Sequence, residues 1–270
     1  MPLFDDVKDF FTIKDDAYYY SKLYPFQDKI LALTFSEPTN FYLSGGTALN
    51  RFILPKYEKV LARHSDDLDF FINLDNSQES LDYFHHAKDE ILDRIKRDYL
   101  VEAEKNLTLF SEYKVLSDSS YIYYAYDGEI KLKLQFVLDY RKKSDDSLVL
   151  NSNYRVDNLN NILTNKVATL KHREEFKDFV DIYHIAEFDK HIDWKSIIYQ
   201  TAKTSKVIGL NQKEFMRICT QLLNLYQKSD IEVLIKQVVF GRSRAYQKRQ
   251  VYKVLDEFKQ LVIDRIETKK

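Results

Sequence analysis

"FYLSGGTALN", Phe41 to Asn50, sets two of the chain's five glycines side by side, between an apolar run and a run with helical spacing. Phe41-Tyr42-Leu43 reads as a short strand, Ser44-Gly45-Gly46 as a tight turn, and Thr47 to Leu54 as a helix stopped by Pro55. Such a junction brings backbone N–H groups and a helix start close to a phosphate, and Thr47 adds a hydroxyl. The stretch matches neither G-x-G-x-x-G nor the P-loop with its Gly-Lys-Ser/Thr, so the familiar dinucleotide and P-loop readings lose their support. A purely structural turn fits these ten residues equally well, and the neighbouring sequence has to decide.

The next strand carries the deciding feature. In Arg63-His64-Ser65-Asp66-Asp67-Leu68-Asp69-Phe70-Phe71, alternation puts Asp67 and Asp69 on one side of a strand whose Leu68, Phe70 and Ile72 face a core. Two parallel carboxylates suit Mg²⁺, which takes one or two carboxylates and completes its shell with water and substrate phosphates. A bare Asp-x-Asp is more often ordinary loop chemistry. Its pairing with a Gly-Gly-Thr turn twenty positions earlier changes that balance.

Working outward, 270 residues suit one large domain or two small ones, and 44% apolar with 14% aromatic residues excludes a disordered chain despite 31% charged residues. The net charge of −1 gives no global attraction to nucleic acid. A single cysteine, Cys219, and a start without a signal-peptide layout point to the cytoplasm, and no apolar run is long enough to span a bilayer. The first forty residues read as lead-in helices, Leu68 to Leu74 as a strand and Ser80 to Leu100 as an amphipathic helix. "YIYYAY" (121–126), Asp127-Gly128 and "EIKLKLQFVL" (129–138) form a hairpin signal, and beyond a polar loop from Lys142 to Asn153 everything reads as helix. The expected organisation is α+β over residues 1–150 and all-helical over 151–270.

"LSGGTALNRFI" followed by "RHSDDLDFFI" resembles the AbiEii/AbiGii toxin group of nucleotidyltransferases, members of the DNA polymerase β-like superfamily. That group adds a lysine-bearing helix and a Lys/Arg-Asp-x-x-Asp helix, matched here within "NKVATLKHREEFKDFVDIYHI" by Lys166 and by Asp178 with Asp181. The resemblance covers about residues 40 to 185. It implies a mixed sheet with flanking helices and a helical C-terminal half that contributes Lys166 and Asp178 to the site. It also implies an Mg²⁺-dependent transfer of a nucleotide monophosphate from a nucleoside triphosphate (NTP). Asp67, Asp69, Lys166 and Asp178 would then be catalytic and Asp67 and Asp69 the metal ligands, with Gly45, Gly46, Thr47, Arg63, Ser65 and Lys166 on the nucleotide. A bacterial toxin checked by an antitoxin, with the transfer-RNA 3′ end as acceptor, is the implied setting. The alternatives are a catalytically degenerate nucleotide- or partner-binding module and a nucleotidyltransferase acting on a sugar phosphate or antibiotic.

Three features refine that expectation. In one unbroken helix Lys166 and Asp178 would lie ~18 Å apart along the axis and roughly 120° apart around it, so if both serve one site the chain must break near His172 to Lys177. A third carboxylate common in polymerase β-like enzymes has no match in "EIKLKLQFVLDYR", whose polar face offers Lys131, Lys133 and Gln135; either two metal carboxylates suffice, or Asp139 or Asp178 supplies the third, or the protein is degenerate. Finally, Lys236 to Lys253 holds Arg242, Arg244, Lys248 and Arg249 without an acid, interleaved with Phe240, Tyr246 and Tyr252, a candidate nucleic-acid patch if not simply a solvated helix face.

Overall fold

Alternating side chains build the sheet. In β2 (Leu68–Asn73) and β5 (Ile130–Asp139), Leu68, Phe70, Ile72, Leu132, Leu134, Phe136 and Leu138 are buried on one face. Asp69, Lys131, Lys133 and Gln135 are left on the other. The computed structural model describes residues 15–56, 62–104, 119–140, 148–150, 154–204, 207, 209–241 and 243–268. Among these, seven strands make one mixed sheet in the order β3-β4-β5-β2-β1-β7-β6.

β1 (Tyr42–Ser44) runs antiparallel to β2 and pairs Ser44 with Asp69; β5 runs parallel to β2 and pairs Gln135 with Asp69. β4 (Ser120–Asp127) returns antiparallel on β5, and β3 (Leu100–Ala103) lies outside it. The hairpin forms as expected, but Asp127 pairs with Ile130, so the turn is Gly128-Glu129, one residue later than the Asp-Gly signal suggests. Gly128 takes φ 61°, a left-handed value that glycine adopts readily. The other edge corrects the expectation of helix alone after residue 153. β7 (Tyr154–Val156) pairs parallel with β1, and β6 (Leu148–Leu150) pairs antiparallel with β7. Three-residue strands are too short to show a period.

Helix α1 runs as Asp16–Tyr18, a wide turn Tyr19–Leu23, and Tyr24–Thr34. Helix α2 follows β1 directly as Gly45–Thr47 and continues as Ala48–Ile53. Helix α3 (Gln78–Lys96), capped by Ser77, covers the apolar face of the sheet with Phe84, Ile91, Leu92 and Ile95. There Phe41 packs 5.9 Å from Phe84 and 5.5 Å from Phe136, centroid to centroid.

Six more helices complete the described chain: α4 (Leu159–His172), α5 (Phe176–Phe188), α6 (Trp194–Thr204), α7 (Gln212–Lys228), α8 (Ile231–Gln237) and α9 (Arg244–Phe258, continued by Lys259–Ile263 and Asp264–Thr268). α5 is buried on nearly every side, from Phe176 through Ala186, as befits a helix wrapped by others. One apolar core runs from Tyr19 and Phe41 through the sheet to Phe179, Phe258 and Ile266. No helix among the described residues is long and apolar enough to cross a membrane.

Candidate active site

The two glycines answer to two different neighbours. Gly45 has φ 70°, and a Cβ placed there would lie 2.1 Å from Asp69 Oδ2. A Cβ on Gly46 would lie 2.7 Å from the Arg63 guanidinium and 3.1 Å from Ser65 Oγ. Any larger residue therefore has to push a carboxylate or a guanidinium aside. Thr47 departs from its expected place: it is fully buried, its hydroxyl donates to the Asp67 carbonyl, and it lies 2.8 Å from the Ser65 hydroxyl. That hydroxyl braces the Asp-x-Asp segment against the turn.

Asp67 and Asp69 share one face at the start of β2. Burial first, and then the charge of Asp67, push the Asp69 carboxyl up to about 6, against the pull of Lys133, Lys166 and Lys177. Lys133 Nζ stands 4.0 Å from Asp67 Oδ2. Gln135, opposite Asp69 in the register, bonds Ser120 Oγ at 3.1 Å. Asp139 pairs with Asn73, four residues farther along β5 and hence ~13 Å away, while Asp178 is bound up in ion pairs. Neither stands in for the third carboxylate. Among the described residues no group of three or more His, Cys, Asp or Glu is placed to hold a metal. The two carboxylates Asp67 and Asp69 would suit Mg²⁺ with water and phosphate completing its shell.

The break between Lys166 and Asp178 is present. α4 ends at His172, α5 opens at Phe176, and the two helices fold back so that Lys166 Nζ lies 2.6 Å from Asp178 Oδ1 and 2.6 Å from Asp181 Oδ2. Asp178 also accepts from Arg173 Nε at 2.9 Å. Asp181 takes a two-pronged grip from Arg63, Nε and a terminal nitrogen each at 2.8 Å, and accepts from Asn50 at 3.0 Å. Arg63 is therefore not a free phosphate ligand; it ties the Asp-x-Asp segment to α5. Burial opposes the charges of Lys166 and Arg63, but Asp181 and Asp178 outweigh it and hold both groups above their ordinary range. Burial likewise opposes the Asp181 carboxylate, and Arg63 and Lys166 overcome it and hold its pKa well below the usual carboxylate range.

These groups meet in a cleft of about 1340 Å³, larger than the ~300–1000 Å³ of most small-ligand pockets. The turn and the strands contribute Gly45, Gly46, Asp66, Asp67, Asp69 and Lys133 to its lining, and the helical half contributes Lys166, His172, Arg173, Lys177, Lys236 and Arg244. The sequence reading missed Arg173 and Lys177, and it had Lys133 only on the polar face of its strand and Lys236 only in the basic C-terminal patch, because nothing local marks a basic residue as facing a distant strand. The basic C-terminal patch proves divided. Arg242 lies outside the described residues. Arg244 and Lys248 both pair with Glu232, Arg249 lies over the Tyr246 ring, and Phe240 is buried beneath His184 instead of exposed for stacking.

A mixed sheet that sets a glycine turn against an Asp-x-Asp strand, with a lysine helix lining the same cleft, defines an α+β nucleotidyltransferase. The family model for the nucleotidyl transferase AbiEii toxin of type IV toxin–antitoxin systems matches residues 30–254, and the chain belongs to that family. Its fold is similar to that of JHP933 from Helicobacter pylori, at 16% identity and a TM-score of 0.44, covering 92% of this chain and 97% of that one. A nucleotidyltransferase toxin from Mycobacterium tuberculosis, MenT4, is similar at 14% identity and a TM-score of 0.47, covering 94% and 93%. No curated relative matches the sequence.

Proposed function

We propose that the chain moves a nucleotide monophosphate from a nucleoside triphosphate to the 3′ end of transfer RNA, as the toxin of a pair held in check by an antitoxin. The acceptor hydroxyl forms a bond to the α-phosphorus as the bond to pyrophosphate breaks. The observation that carries the reading is that Asp67, Asp69 and the Gly45–Gly46 turn line one cleft together with Lys133, Lys166, Arg173, Lys177 and Lys236. Asp67 and Asp69 are the residues that would hold Mg²⁺, whose contribution is to neutralise charge on the transferring and leaving oxygens. Gly45 in a left-handed conformation followed by right-handed residues lets successive N–H groups converge on the triphosphate. Lys166 lines the cleft and presents to the phosphates an ammonium whose charge is already shared with Asp178 and Asp181. Asp178, gripped by Lys166 and Arg173, orients that lysine and does not itself reach for the acceptor. The size of the cleft leaves room for an acceptor beside the nucleotide.

Gln135 in place of a strand carboxylate favours a second reading, a nucleotide-binding module without turnover. The test is incubation with each labelled triphosphate, Mg²⁺ and total transfer RNA, beside Asp69→Ala. Label in RNA with the wild type alone is the expected result. Label in a small product would move the acceptor class, and no transfer from any triphosphate would overturn the transferase reading.

A further inference from the structure

Ser44 stands immediately before the glycine turn, where a serine ordinarily folds its hydroxyl onto a backbone N–H two or three residues on. It does not do so here. Ser44 makes no capping hydrogen bond, and its hydroxyl donates to Asp157 Oδ2 at 2.8 Å. Asp157 is fully buried, and both sheet and helix fix its place. Its N–H bonds the Leu43 carbonyl at 2.8 Å, extending the β1–β7 pairing. Its Oδ1 accepts from the Asn158 N–H at 3.1 Å and from Asn161 Nδ2 at 3.0 Å, in the first turn of α4. A charged acceptor makes the stronger hydrogen bond, so the serine hydroxyl turns inward.

We propose that Asp157 is a positioning residue that keeps the Gly45–Thr47 turn open to a triphosphate, by holding the Ser44 hydroxyl away from the N–H groups of Gly46 and Thr47. This rests on reading that turn as the phosphate site. Without the Asp157 carboxylate the Ser44 hydroxyl covers those N–H groups, and the ligand has to displace it. The same carboxylate ties the turn to α4, the helix that carries Lys166.

Calorimetric binding of ATP, GTP, CTP and UTP in Mg²⁺, with melting curves for each variant, tests both levels. Gly46→Val should lose binding; binding equal to wild type would remove the phosphate-site reading and this proposal with it. With that loss established, Asp157→Ala should weaken the preferred triphosphate about fivefold, the effect of one capping hydrogen bond. Ser44→Ala combined with Asp157→Ala should return to within about twofold of Ser44→Ala alone. Both Asp157→Ala proteins should melt equally low, since Asn158 and Asn161 lose their partner in each. Equal weakness of the single and double variants would make Asp157 merely structural and overturn the proposal. Should Asp157→Ala not fold, Ser44→Ala decides alone: wild-type affinity supports the proposal, and clear weakening overturns it by showing that the hydroxyl serves the ligand directly.

Discussion

Asp69 sits against Gly45 with its carboxyl raised to about 6 by burial and by Asp67, from an ordinary 3.8. The native state therefore binds the Asp69 proton more tightly than the unfolded chain does between those two values. That contribution to stability is complete below the unfolded pKa and is lost as the pH rises through the folded one. At neutral pH the ionised carboxylate is a strain on the fold, which a cation held as proposed would relieve. Asp69→Asn should accordingly stabilise the metal-free protein at about pH 7.5 by roughly 1–2 kcal/mol, a range that allows for solvent at this partly exposed group. The gain should vanish at about pH 4. Adding Mg²⁺ should reverse the order, raising the melting temperature of the wild type and not of the variant. Melting curves against pH, with and without Mg²⁺, check this; an asparagine variant that melts lower at neutral pH without metal would contradict it. The pattern of Asp67, Asp69 and the glycines was legible in the sequence because alternation and turn chemistry are local. The buried orientation of Thr47 and the partner of Arg63 were not, since each depends on a residue from another element.

Between elements, the Arg63–Asp181–Lys166–Asp178 chain fixes the segment before β2 to α5 and α4. If Lys166 and Asp178 serve one site, as the family resemblance implies, helix geometry requires a break between them, and the chain has one at residues 173–175. What the sequence left hidden was that Asp181, a plain motif match, is the hub. It is fully buried with two cations on it, so removing its charge strands Arg63 and leaves Lys166 with Asp178 alone. Asp181→Ala should destabilise the protein by roughly 3–5 kcal/mol, the usual effect of breaking a buried ion pair from one side. Arg63→Met added to that variant should recover part of the loss, because one stranded cation goes. Urea midpoints for the two single variants and the double measure this, and strict additivity would contradict it. The short strands β6 and β7 were illegible for a simpler reason: β7 is placed by its pairing with β1 and β6 by its pairing with β7, not by a pattern of their own.

At the scale of the whole molecule, a net charge of −1 conceals a cleft where Asp66, Asp67 and Asp69, with Lys133 beside them, meet cations from α4, α5, α8 and α9. The boundary expected near residue 150 is crossed both by the sheet, through β7, and by the apolar core, so these acidic and basic groups are held by one packed body. Folding also sorts the basic C-terminal run. Lys248 pairs with Glu232 and Lys253 with Glu187 outside the cleft, whereas Lys236 and Arg244, the latter also paired with Glu232, line it. If a polyanionic acceptor enters there, these two make the phosphate contacts and the outward ones do not. Lys236→Ala with Arg244→Ala should then weaken RNA binding and make its dependence on log salt concentration less steep by about 1.5, as two released counterions require. Triphosphate affinity should stay near that of the wild type, and Lys248→Ala with Arg249→Ala should alter the salt slope little. RNA binding measured across a salt series distinguishes the pairs; a larger change in slope for the Lys248 and Arg249 pair would place the acceptor on the outer face of α9 instead of in the cleft.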